Sequence, residues 1–123
     1  MKEVFAPIEH EGKTYKIVFN LNVMQVIQEE YGTLENWGAL TDGKAVDEET
    51  GKEKEVDFKA LIFGFREMLN EGIEIDNEKN GTNEPLLTMK QAGRLITDIG
   101  LSKATEAIND VVIDSSGSDE KNG

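Results

Sequence analysis

Asp76, Glu78 and Asn80 place oxygen-bearing side chains at alternate positions, and Gly81 follows them. That is the opening of a calcium-binding loop, which needs ligands at positions 1, 3 and 5, a glycine at 6 and a bidentate glutamate at 12. Here position 12 is Leu87, Pro85 intrudes and position 8 is the polar Asn83. The spacing therefore predicts an acidic loop with an Asn-Gly turn, and no metal ion or other cofactor is expected. His10 is the single histidine, and no serine stands beside it in a recognisable motif. It reads as a solvated turn residue. Cysteine is absent, which removes thiolate nucleophiles, thiolate metal sites and disulfides together. Neither a GxxxxGK[ST] nor a GxGxxG phosphate loop occurs. Adjacent carboxylates such as Glu29–Glu30 and Glu48–Glu49 lie in polar runs, without the apolar cleft that raises a catalytic carboxyl. No catalytic residue is assigned, and the chain does not read as an enzyme.

What remains are apolar stripes. Phe58, Ile62, Phe65, Met68 and Leu69 recur at helical spacing, and the only tryptophan is Trp37. Core packing is the default for such a stripe, yet the same residues could line a groove for a partner helix. Trp37 precedes a polar stretch, which fits a half-exposed anchor. These six residues are the candidate partner-binding set.

The 123 residues suffice for one domain, assigned to residues 1–113, with a polar tail from 114 to 123 expected to be disordered. Thirteen basic against 25 acidic residues give a net charge of −12. Such a surface repels phosphate backbones and anionic lipid, so neither nucleic acid nor membrane is expected as a partner. No apolar run approaches the length of a membrane span, and the start, with Glu3 and no long apolar stretch, does not resemble a signal peptide.

Residues 3–9, with Val4, Phe5 and Ile8, and residues 13–19, with Tyr15, Ile17 and Phe19, read as two strands joined at Gly12. Asn20 caps a helix carrying Leu21, Met24, Ile27 and Tyr31 on one stripe, widened by Val23 and Val26, and stopping at Gly32. Thr33 opens a short helix with Leu34, Trp37 and Leu40. The segment 41–57 is a polar loop, and Asp57 caps a helix that ends at Gly72. A second acidic loop covers 71–85. Thr88 with Gln91 forms a capping box for a helix burying Ala92, Leu95, Ile96 and Ile99, and Ser102 opens a last helix to Val112. The fold class is α+β: an N-terminal β-hairpin packed on a bundle of about four short α-helices, with two acidic loops.

The segments KTYKIVFNLNVMQVIQEEYG (13–32), LENWGAL (34–40), DFKALIFGFREMLNEG (57–72) and TMKQAGRLITDIGL (88–101), in this order, resemble the tail assembly chaperones of long-tailed bacteriophages. The resemblance spans roughly residues 8–112 and rests on pattern more than on invariant residues. It implies a non-enzymatic protein that binds the tape measure protein and helps recruit tail tube protein. It also implies action in the host cytoplasm and absence from the mature virion; a homo-oligomer is compatible with it. The charge of −12 leaves one alternative, an acidic phage-encoded inhibitor of a basic host nucleic-acid-binding protein.

Overall fold

Glu11 and Gly12 reverse the chain with φ of 51° and 77°. Two central residues in the left-handed region form the turn whose twist matches a β-hairpin. In the computed structural model, β1 (Phe5–His10) pairs antiparallel with β2 (Lys13–Val18), from Phe5 opposite Val18 to His10 opposite Lys13. Five helices follow: α1 (Leu21–Tyr31), α2 (Leu34–Asp42), α3 (Phe58–Asn80), α4 (Met89–Ile99) and α5 (Leu101–Asn122). The structure describes the backbone of residues 5–42, 49–52 and 55–122, and side-chain surroundings over 7–42, 49–52 and 55–112. Glu3, Val4 and most of the acidic segment 43–54 lie outside the described residues.

The helix starts follow local chemistry. Asn20 Oδ1 accepts from Val23 N at 3.2 Å, and Thr33 Oγ1 accepts from Asn36 N at 2.9 Å. Thr88 and Gln91 close a reciprocal box, with Gln91 N donating to Thr88 Oγ1 and Thr88 N to Gln91 Oε1. Each bond satisfies an amide that the first helical turn leaves without an intrahelical acceptor.

Two expectations are corrected. First, α3 does not stop at Gly72. It runs 23 residues and ends at Gly81, whose φ of 66° is a left-handed C-terminal cap. Gly72 is needed inside the helix because β2 crosses there. A methyl group at Gly72 would lie 3.2 Å from the Lys16 carbonyl carbon and closer still to its oxygen. The acidic loop expected over 71–85 is therefore mostly helix. Second, Leu21 of the expected stripe is 69% exposed, while Ile27 and Val23 are buried as expected. The first residue of a helix projects beyond the neighbours that cover its later turns.

The core lies between the hairpin and the helices. Ile8, Ile17 and Phe19 meet Leu61, Phe65, Met68 and Leu69 of α3, with Trp37, Ile27, Leu95 and Ile108 closing the sides. α3 is the central element, packed on β2, α1, α2 and α4. The excursion after α2 is closed at its base, where Asp57 N donates to Leu40 O at 2.9 Å.

Candidate functional site

The six candidate residues divide between interior and surface. Asp57 Oδ1 accepts from Ala60 N at 3.0 Å and starts α3, so its later turns face the hairpin. Phe65, Met68 and Leu69 are fully buried on that inner face. Trp37 is 3% exposed, which corrects the expectation of a half-exposed anchor. Its Nε1 donates to Ala60 O at 2.9 Å, giving the indole N–H the partner that burial demands. Its ring lies on Gly64, where any side chain would collide with it. Ile62 is half-buried, its Cδ1 in van der Waals reach of a methyl group built on Gly93 of α4. Phe58 stands 55% exposed on the first turn of α3. Of the six, Phe58 and Ile62 reach the surface.

The incomplete calcium motif lies in the last turns of α3. Residues two apart on a helix point about 200° from each other, so Asp76 and Glu78 do not converge. Asp76 Oδ1 instead accepts from Lys16 Nζ at 3.1 Å. Among the described residues, no three acidic or histidine side chains are grouped to hold a metal ion. His10 is not a free turn residue. Its Nε2 donates to Asp98 Oδ2 at 2.8 Å, joining the end of β1 to the last turn of α4. That partner is 88 positions away in the chain, beyond any motif.

Residues 82–88, neither helix nor strand, form a strap along α3. The strap, β2 and the C-terminal half of α3 enclose a cleft of about 240 Å³. Lys13 Nζ donates to Glu84 Oε2 at 3.0 Å between β2 and the strap, while Lys16 pairs with Asp76. Donating to the Glu84 carboxylate raises the Lys13 ammonium above its ordinary pKa of 10.5, against the opposing effect of burial. Both lysines of the cleft have carboxylate partners, which leaves neither as a bare charge for an anionic ligand.

A second cluster sits where α1 meets α3. The Tyr31 and Phe63 rings meet edge-on at 5.6 Å, and the Arg66 guanidinium lies 5.5 Å from the Phe63 ring centre. Burial, then the charges of Asp57 and Glu30, raise the Tyr31 phenol above its ordinary pKa of 10.0. Arg66 Nη2 donates to Glu67 Oε2 at 2.7 Å, and its Nε is buried without a hydrogen-bond partner. This arrangement packs and orients side chains but holds no nucleophile beside a base.

The fold and its surfaces define a small α+β domain built around one central helix, and among its described residues no helix is long and apolar enough to cross a membrane. No protein-family model matches the chain, and neither a curated protein nor a solved structure matches it.

Proposed function

We propose that this chain is a phage tail assembly chaperone, a non-enzymatic protein that binds a tape measure protein and helps recruit tail tube protein around it. On this reading it acts in the host cytoplasm and is left out of the mature virion. The observation that carries the proposal is the order of elements, a hairpin followed by capped helices, built from the four segments that resemble that family. Two surface properties are compatible with it. The charge of −12 keeps a complex dispersed, and Phe58 offers an exposed aromatic on the rigid central helix. The contact is assigned to Phe58, with Ile62 one turn along.

Co-expression with the tape measure protein of the same genome, followed by affinity capture, tests the proposal. A soluble complex is expected; no complex and no gain in tape measure solubility would remove it. The acidic-inhibitor alternative draws on the net charge of −12. It requires salt-sensitive capture of a basic host protein in the same experiment.

A further inference from the structure

Among the described residues the strap pairs with no strand, yet its backbone is held as if it did. Asn77 Nδ2 donates to Glu84 O at 3.0 Å, and Glu84 N donates to Asn77 Oδ1 at 2.9 Å. Seven residues earlier on α3, Asn70 Nδ2 donates to Leu87 O at 3.1 Å, and Leu87 N donates to Asn70 Oδ1 at 2.8 Å. Each carboxamide supplies one donor and one acceptor, which is what a neighbouring strand would supply to one residue.

The two periods fit each other. Seven residues are close to two helical turns, about 10.5 Å along the axis of α3. Glu84 and Leu87 are three apart, one turn of a polyproline II chain, which advances about 9.3 Å and returns to the same face. Pro85 stands between the two clamped residues and suits that backbone. The clamps read main chain at Glu84 and Leu87, and Asn77 Oδ1 also accepts from the Thr82 hydroxyl at 2.9 Å. The one strap side chain packed on the core is Leu87, while Glu84, Pro85 and Leu86 are exposed.

The strap also leaves its surroundings unanswered. Glu74 is four residues after Asn70 and three before Asn77, so it shares their face of the helix, and Glu78 follows one turn later. Both are exposed, and among the described residues neither makes an ion pair or a side-chain hydrogen bond. Between its clamped positions the strap carries Pro85 and Leu86, neither of which can neutralise a carboxylate.

We infer that the Asn70–Asn77 face of α3 is a binding site for an extended segment of a partner protein, occupied in cis by the strap. The occupant it favours has a basic residue between the two clamped positions and an apolar one at the second. The overall charge of −12 draws a basic segment toward it. The strap is tethered at both ends and competes at an effective concentration on the order of millimolar, so a free peptide binds the intact chain weakly. This site is separate from Phe58 and does not depend on the tail-assembly reading.

The test uses the full chain, isotope-labelled, in two measurements. Amide hydrogen exchange should show Glu84 and Leu87 exchanging at least about a hundredfold faster than Leu61, Phe65 and Leu69, because the strap opens without the core. Titration then uses two synthetic heptapeptides with the Thr82–Thr88 sequence, one carrying Leu86→Lys and the other Leu86→Glu. The Leu86→Lys peptide should shift the side-chain amide signals of Asn70 and Asn77 and bind about tenfold tighter than the Leu86→Glu peptide. Exchange of Glu84 and Leu87 only through global unfolding would overturn the inference. So would unshifted asparagine signals at millimolar peptide, or equal binding of the two peptides.

Discussion

Replacing Gly64 by alanine puts a methyl group against the indole of Trp37, 2.7 Å from Cε2 and 2.9 Å from Nε1, with Cζ2 nearer still. Carbon atoms rest at about 3.5–4.0 Å, so the ring must retreat by roughly 0.8 Å or more. It has little room to do so, being 3% exposed and tied through Nε1 to Ala60 O. Overpacking of this kind costs about 1–3 kcal/mol, and a strained or lost indole hydrogen bond adds about 1 kcal/mol. Alanine is favoured over glycine inside a helix by about 1 kcal/mol, which offsets part of this. The net destabilisation is about 1–3 kcal/mol, a fall in Tm of roughly 3–15 °C for a domain of this size. Gly38 is the internal control, because it lies inside α2 with nothing within 4 Å of a methyl group. Gly38→Ala should raise stability by about 1 kcal/mol. Urea and thermal unfolding followed by the single tryptophan read both variants. A Gly64→Ala protein as stable as the parent, with unchanged Trp37 emission, would refute the packing of the indole on α3.

Three further outcomes follow from the same contacts. Gly72→Ala presses on the Lys16 carbonyl of β2, which cannot swing aside, so it should destabilise despite the helix gain; hydrogen exchange of the hairpin amides should quicken first. Asn20→Ala removes the cap on Val23 N and the donation from Nδ2 to Glu71 Oε2 at 2.6 Å, and should cost about 1–2 kcal/mol in urea unfolding. The raised Tyr31 pKa means the unfolded chain loses that proton first. Its contribution is complete below about pH 10 and is lost as pH rises through the folded value. Tyr31→Phe should flatten the alkaline fall in the urea midpoint, and an unchanged profile would reject the assignment; Lys13, raised by Glu84, continues to contribute in the same range.

Local signals were legible in the sequence, and long-range ones were not. Asn20, Gly32, Asp57 and the Thr88–Gln91 box act where their side chains can reach their own helix ends, so reading them needs no tertiary information. Gly72 was misread as a stop because its purpose is the approach of Lys16, 56 positions earlier in the sequence. Gly81, the true cap, was visible only as part of an Asn-Gly turn. Trp37 carries no mark of its burial; the signal was Gly64, a glycine in the middle of an otherwise strong helix pattern. The His10–Asp98 pair and the strap clamps join residues that the fold, not the spacing, brings together. Asn70 and Asn77 could be recognised as one face only once α3 was known to pass Gly72.

The proposed function makes its sharpest demand on Phe58, since its exposed ring contributes little to the core. Phe58→Ala should change the urea midpoint by less than about 0.5 kcal/mol while weakening capture of the tape measure protein by at least about tenfold. The measurement is affinity capture of the co-expressed tape measure protein by parent and Phe58→Ala chains, with folding of each checked by circular dichroism. Capture by the parent and its loss in the variant is the predicted result. Failure of the folded parent to capture the tape measure protein would contradict the account.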